Sequence, residues 1–439
     1  MALSGIQIYK LLPQTNCKEC GFPTCLAFAM KLAAKQVELS ACPYVTEESK
    51  AQLAESSAPP IRLVSIKSNG YEVKAGNEVV MFRHEKTFYN KPGIFVKVRD
   101  SQSADEIKSL LSTADKYEVN YVGINLTLDG FAVEAVSGDP TRFAAAISAV
   151  RSVSQRPLIL ISSDPKELST GLQAIDGEKP LVYAANAANW EAMADLCKQY
   201  GASLTVKGDS LDELADLTEK IKAKGVEDLV LDPTGEDLGR SLVLFTQIRR
   251  LALKKNFRAL GYPVIAFPSN PASAAQAIAK YAGFIVLDHF AAELVYPLLV
   301  LRQNIYTDPQ KPIQVQPGLY EINAPKPDDP VLVTTNFRIT YFSVANEVES
   351  SGLPAWLLVT DAEGMSVLTA WAAGKFDSER IAKSVKTFNV EDKVNRKRLV
   401  LPGAVAVLSG EVEAELPNWE VRVGPREAVD IPKFMKQAL

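Results

Sequence analysis

The chain has 439 residues, enough for two to four domains at roughly 100–200 residues each. It is 47% hydrophobic, 23% charged and 8% aromatic, ordinary globular values that exclude disordered, collagen-like and low-complexity architectures. With 48 Lys and Arg against 52 Asp and Glu the net charge is −4, so nothing global attracts the chain to nucleic acid or to an anionic membrane. No apolar run approaches the ~20 residues of a membrane span. Residues 1–20 lack a basic start followed by a long apolar core, and the expected location is the cytoplasm.

The N-terminal residues 1–55 hold four of the five cysteines, spaced Cys17-x2-Cys20-x4-Cys25-x16-Cys42-Pro43. Four thiolates hold either zinc or an iron–sulfur cluster. Structural zinc favours paired C-x2-C knuckles or includes His, and neither is present. A remote fourth Cys followed at once by Pro resembles the closing element of cluster-binding sequences. The spacing therefore favours a 4Fe-4S cluster over zinc. Gly21 and Pro23 shape a tight loop, and Phe22, Leu26 and Phe28 would keep water from the cluster. Cys197 stands alone in a helical pattern and reads as a small buried hydrophobe.

Ser56–Pro60 has the composition of a linker. A strand-rich entry follows over Ile61–His84, with turn signals at Asn69-Gly70 and Gly76-Asn77. From about 92 to 303 apolar strand candidates alternate with helical patterns. The candidates are Gly93–Val98, Tyr121–Thr127, Pro157–Ser162, Pro180–Ala185, Ser203–Lys207, Asp228–Asp232, Pro263–Phe267 and Gly283–Asp288. Eight strand–helix pairs over that length predict a (β/α)8 TIM barrel for 61–307, ahead of an open doubly wound sheet. The whole chain thus reads as multidomain α/β.

Pro309, Pro312, Pro317, Pro325, Pro327 and Pro330 mark 308–330 as a second linker. Residues 331–439 alternate again, through VLVTTNF, AWLLVTD, RLVLPGAVAVL and WEVRVGP, with a helix near Ser378–Thr387. They read as a small α/β domain. Three groups of residues fall at its predicted strand ends, where open α/β sheets bind ligands. They are Thr334–Phe337 running on to Thr340, Gly364–Trp371, and the pair Pro402–Ala404 and Gly424–Glu427. On their own these are also ordinary turn chemistry. No GxGxxG or Walker-type loop is present. The basic run Lys393–Arg398 reads as a solvated loop.

Taken together, NCKECGFPTCLAFAMKLA with ACPYV, FRHEKTFYN, FTQIRRLA, TTNF, GMSVLTAW, and PGAVAV with VGPREA resemble the large (gamma) subunit of the corrinoid iron–sulfur protein of the reductive acetyl-CoA pathway. The resemblance covers essentially the whole chain. It implies one 4Fe-4S cluster on Cys17, Cys20, Cys25 and Cys42, a central TIM barrel, and a C-terminal domain that binds a cobalamin-type corrinoid jointly with a small subunit. It implies a methyl carrier rather than a stand-alone enzyme. The cobalt, as Co(I), takes a methyl group from methyltetrahydrofolate through a separate methyltransferase and delivers it to acetyl-CoA synthase. The cluster, fed by a low-potential electron donor, restores Co(I) from Co(II).

Strand-end position and resemblance together assign corrinoid contacts to Thr334, Thr340, Gly364, Met365, Ser366, Val367, Leu368, Thr369, Gly403, Ala404, Arg426 and Glu427. The Asp-x-His-x-x-Gly motif of many corrinoid carriers is missing. His84 and His289, the two histidines, both precede the C-terminal domain. Thr369 is the nearest candidate for the lower corrin face, and a Thr hydroxyl is a poor cobalt ligand. No catalytic residue is assigned to the barrel, although Asp232 and Asp288 end strands where such barrels place chemistry. The barrel is expected to dock the small subunit. Two other readings stay open: an iron–sulfur electron carrier without corrinoid, and a TIM-barrel folate-dependent methyltransferase.

Overall fold

The computed structural model describes residues 5–33, 36–50, 53, 59–121, 123–235, 237–308 and 314–438. They form two compact units: Met1–Tyr117 with Thr127–Tyr306, and Glu118–Leu126 with Thr307–Leu439.

The first unit opens with two short helices, α1 (Gly5–Leu11) and α2 (Cys25–Ala33). Apolar residues one helical turn apart, Ile8 with Leu12 and Cys25 with Phe28 and Ala29, form a small core between them. A hairpin follows, β1 (Val64–Ser68) and β2 (Tyr71–Ala75). Its turn is the Asn69-Gly70 pair, both at positive φ, the conformation a two-residue hairpin turn demands.

The barrel strands are β3 (Gly93–Arg99), β6 (Gly130–Glu134), β7 (Leu158–Ile161), β8 (Leu181–Ala185), β9 (Ser203–Lys207), β10 (Leu229–Asp232), β11 (Val264–Ala266) and β12 (Ala282–Leu287). All pair in parallel and close into a ring, β12 returning to β3. The intervening helices are α3 (Ala104–Ala114), α4 (Pro140–Arg151), α5 (Pro165–Gln173), α6 (Trp190–Tyr200), α7 (Leu211–Ala223), α8 (Leu238–Lys255), α9 (Pro271–Ala279) and α10 (Ala292–Ile305). Three of them start alike: Asp139-Pro140, Asp164-Pro165 and Asn270-Pro271 put a side-chain oxygen on the first free backbone N–H groups and a proline where none is needed. Phe95, Ala132, Ile159, Leu181, Val230, Ile265 and Phe284 fill the interior together with Val64, Ile66, Val73 and Ala75 of the β1–β2 hairpin. The hairpin closes the amino end of the barrel, since Ala75 and Val73 abut Gly283 and Gly93 at strand starts.

One of the eight expected barrel strands is wrong. Tyr121–Thr127 is not in the ring. It supplies parts of a separate hairpin, β4 (Glu118–Tyr121) and β5 (Ile124–Thr127), most of which belongs to the second unit. The second barrel strand is the five-residue β6 that follows. Both stretches are strands. Only non-local pairing decides which of them enters the ring.

The second unit is a five-stranded sheet in the order β13-β15-β14-β16-β17. The strands are β13 (Gly318–Ile322), β14 (Val331–Thr335), β15 (Ala355–Thr360), β16 (Arg398–Leu401) and β17 (Glu420–Val423). β13 is antiparallel and the other four are parallel. Its helices are α11 (Arg338–Ser351), α12 (Val367–Ala372), α13 (Ser378–Thr387), α14 (Val390–Lys393), α15 (Ser409–Glu415) and α16 (Ile431–Ala438). Tyr121 of the β4–β5 hairpin packs into its core beside Tyr320 and Tyr341, and Arg338 donates to the Tyr121 hydroxyl.

Two further expectations need correction. Gly318–Ile322, read as linker, is the edge strand β13, registered along all of Ala355–Val359. The run RLVLPGAVAVL is strand only over Arg398–Leu401, and Gly403–Leu408 turns into 3-10 helix after Pro402. Ser56–Ala58, Pro309 and Pro312 lie outside the described residues.

Glu78 and Arg249 form a buried ion pair in the first unit, 3.3 Å apart. Arg249 also donates to the Val80 carbonyl and lies over the Tyr281 ring, 4.4 Å from its centroid. Burial pushes the Glu78 carboxyl up in spite of Arg249. Arg249→Met strands that carboxylate, and a loss of about 3–5 kcal/mol in urea unfolding is expected. A carboxyl with a raised folded pKa costs stability above that pKa. The deficit of the variant therefore grows as pH rises and shrinks in acid. Glu78→Leu on the Arg249→Met background should recover most of it.

Candidate functional site

The four N-terminal cysteines surround one loop. The chain leaves α1 through Gln14, Asn16 and Lys18, all at positive φ, and turns at Gly21, whose N–H donates to the Lys18 carbonyl. Asn16 Oδ1 accepts the N–H of Cys25 at 2.8 Å, and Thr24 Oγ1 accepts that of Ala27. These bonds start α2 and fix Cys25 relative to the loop. Cys42 closes the turn Leu39–Ala41 through its N–H to the Leu39 carbonyl. Cys25 and Cys42 are buried, Cys20 half-buried and Cys17 exposed, and none is in a disulfide. Cys20, Cys25 and Cys42 share one apolar cluster with Phe28. Nearby, the Tyr44 hydroxyl donates to Glu19, and that contact raises its pKa. Among the described residues no three His, Cys, Asp or Glu side chains are close enough to share a single ion. Four thiols are a donor set that suits either zinc or an iron–sulfur cluster.

The second unit carries a cavity of about 530 Å³. It lies between the carboxyl ends of β14 and β16. These strands are neighbours where the chain reverses its direction of winding, the position at which open α/β sheets bind ligands. Val333, Val344, Val400, Leu401 and Phe434 give it apolar walls. Thr334 lines it, and its Oγ1 is buried without a hydrogen-bond partner. Burying a hydroxyl unpaired costs about 1–3 kcal/mol by protein mutational data, so this atom marks a polar contact point in the wall.

Of the predicted contacts, Thr334, Thr340, Ser366, Val367, Leu368, Ala404, Arg426 and Glu427 line this cavity. The other four stand behind it. Gly364 gives its N–H to Asn336 Oδ1 at 3.0 Å. Met365 packs against the core. Thr369 lies in α12, 3.0 Å from the Ser366 hydroxyl. Gly403 lets two backbones meet, since a Cβ there would stand 2.4 Å from the Gly424 carbonyl oxygen. His84 stacks on Phe82 in the first unit.

Sequence reasoning missed Ser343, Val344 and Phe434, which reach the cavity from α11 and α16. At helical spacing they are indistinguishable from core positions. It also missed the part played by Asn336. The Asn336 carbonyl oxygen accepts from Ala362 and Gly364 at 2.9 and 3.0 Å, and its NH2 donates to Asp361 at 3.2 Å. One buried side chain thus fastens the loop after β15 to the end of β14.

The comparisons with known proteins agree over the full length. A family model described as "CO dehydrogenase/acetyl-CoA synthase delta subunit" matches residues 63–435. Another, described as "Putative Fe-S cluster", matches residues 12–44, the segment that holds all four cysteines. The corrinoid/iron-sulfur protein large subunit of Moorella thermoacetica is 45% identical over 445 residues, 100% of each chain. The chain belongs to the corrinoid/iron-sulfur protein large-subunit family. The acetyl-CoA decarbonylase/synthase complex gamma subunits of Archaeoglobus fulgidus and Methanopyrus kandleri are each 36% identical, covering 99% of this chain and 98% of their own. In this member of the large-subunit family, both candidate sites are built by loops that side chains tie down.

Asn336→Ala should free the Ala362 and Gly364 amides and leave them unpaired where they are buried. The expected cost is about 2–6 kcal/mol of unfolding free energy, at about 1–3 kcal/mol for each of the two orphaned groups. Hydrogen exchange should then accelerate at residues 361–366 while β14 and β15 stay protected.

Proposed function

We propose that the chain is a methyl carrier that binds a corrinoid in the cavity between β14 and β16 and a 4Fe-4S cluster on Cys17, Cys20, Cys25 and Cys42. Full-length membership in the corrinoid/iron-sulfur large-subunit family carries this reading. When bound, the corrinoid would supply the cobalt that accepts and gives up a methyl group, and the cluster the electron that restores it.

The chain's own residues have definable parts. The cysteine thiolates hold the cluster, and Phe22 and Phe28, 5.6 Å apart, shield it from water. Val344, Val400 and Phe434 offer apolar contact to a flat macrocycle or its side arm. The Thr334 hydroxyl, unpaired within the protein, gains a partner from an amide of the ligand. Leu368, exposed on α12, and Arg426 stand at the rim. The second unit contains no histidine, so no imidazole of that unit can bind the metal. Ser366, which lines the cavity, offers a hydroxyl instead, and that would be a weak donor to a soft metal. A weakly ligated cobalt is easier to reduce.

The partners in this reading are a small subunit, a methyltetrahydrofolate methyltransferase, acetyl-CoA synthase and a low-potential electron donor, all in the cytoplasm. No helix of the described residues is long and apolar enough to cross a membrane.

The test is metal analysis of protein purified without oxygen together with its small subunit. About four irons per chain, as a cubane on four cysteines requires, and one cobalt are expected, with visible bands that respond to a strong reductant. Cys25→Ser should lower the iron and leave the cobalt. Iron without cobalt, even after corrinoid is added back, would leave an electron carrier instead. Thr334→Val should act in opposite directions on stability and binding. It relieves an unpaired buried hydroxyl, and should stabilise the corrinoid-free protein by about 1 kcal/mol while reducing corrinoid retained through gel filtration.

A further inference from the structure

The carboxyl-end mouth of the barrel is divided. On the side of β3, β6 and β12 it is filled by charge pairs. Lys97 Nζ lies 3.0 Å from both Glu134 and Asp288, and Arg99 contacts the same two carboxylates. On the side of β8 to β11 there is a cavity of about 480 Å³.

The floor and one wall of this cavity have an unusual chemistry for a barrel interior. Asp232, the last residue of β10, is buried. One carboxyl oxygen accepts the Tyr183 hydroxyl at 2.7 Å, and the other accepts the Thr234 N–H at 2.9 Å. An ionised carboxylate has about four acceptor positions, so each oxygen keeps one in reserve. Desolvation raises the Asp232 pKa, and Lys207, its cross-strand neighbour, opposes that by its charge. Beneath Lys207 on β9, Thr205 and Ser203 share a side with their register partners Val230 and Leu181, which belong to the interior core. Both are fully buried, and their hydroxyls have no hydrogen-bond partner. The interior strip below the mouth is therefore polar where the other strands are apolar. The same cavity also has an aromatic surface. Phe267 packs on Tyr183 with centroids 4.7 Å apart, yet stays 38% exposed.

We propose that this cavity binds a small flat heterocycle that carries two adjacent N–H donors on one edge. The edge lies on the free acceptor positions of Asp232, and the ring face lies on Phe267. Two parallel N–H groups match a carboxylate as a guanidinium does. A ring bearing them supplies the flat face that an exposed phenyl group stacks upon. A ligand of this kind fills the reserve of a buried acceptor that water serves poorly. The site uses residues of the barrel alone and does not rest on the corrinoid and cluster reading.

Calorimetric titration of the full-length protein, with its cofactors and partner subunit retained, tests this with 2-aminopyrimidin-4-one as the probe. Its amino group and ring N–H form the required edge. The comparison compound is 2-(dimethylamino)pyrimidin-4-one, which lacks the outer donor. The expected result is binding of the first with a Kd below about 1 mM, and of the second roughly tenfold or more weaker, since one charge-assisted hydrogen bond is lost. Asp232→Asn keeps the shape of the side chain but presents a single acceptor oxygen, and should weaken the probe by a similar factor. Phe267→Leu alters an exposed position that folding tolerates, and should weaken it severalfold. Absence of binding to the unaltered protein would overturn the proposal. So would equal binding of the two compounds, or unchanged binding in either variant.

Discussion

In a parallel sheet every strand ends on the same side, so the loops that follow the strands crowd into one region whatever their sequence. The barrel and the four parallel strands of the second sheet both obey this constraint. In each, the open space lies at the carboxyl ends, between β14 and β16 in the sheet and over β8 to β11 in the ring. The rest of the chain serves to make that end shaped and the other end closed. The β1–β2 hairpin plugs the amino end of the barrel. The Asn336 side chain holds the loop after β15 in place. Without the Asn336 tie, the loop after β15 would lose two of its backbone partners beside the sheet cavity.

Some of the polar atoms left unpaired in the interior follow the same geography, while Ser68 of the amino-end hairpin does not. Thr334 and Thr335 end β14, and Ser203 and Thr205 lie on the inward face of β9. Each would be more stable as valine or alanine. A fold kept only for its stability would shed such groups, and Thr334, at the binding end of β14, is placed where a molecule from outside could satisfy it.

The sequence was readable where local rules decide the outcome. The Asn69-Gly70 turn and the α13 span Ser378–Thr387 both follow from near neighbours. It was unreadable where the decision is non-local. The stretch 118–127 alternates as a strand should, and nothing within it says that it leaves the ring. β13 was hidden by the prolines around it, although none falls inside it. As an edge strand it needs only one neighbour and no continuous apolar run, so it resembles a linker. At the sheet cavity, strand-end residues such as Thr334 and Arg426 could be found because small and polar residues cluster at turns. Helix residues such as Ser343 and Phe434 could not, because a wall position and a core position share the same spacing.

The β4–β5 hairpin means that the chain crosses into the second unit, returns, and crosses again. This bears on how the protein is made. The hairpin leaves the ribosome about 190 residues before the segment it packs with, roughly 10–40 s at typical synthesis rates of 5–20 residues per second. During that interval the barrel can close, but Tyr121 and the edges of β4 and β5 have no sheet to join. Exposed strand edges invite pairing with other chains. The nascent protein therefore passes through a stage in which the hairpin segment Glu118–Leu126 has open strand edges and awaits the last third of its own sequence.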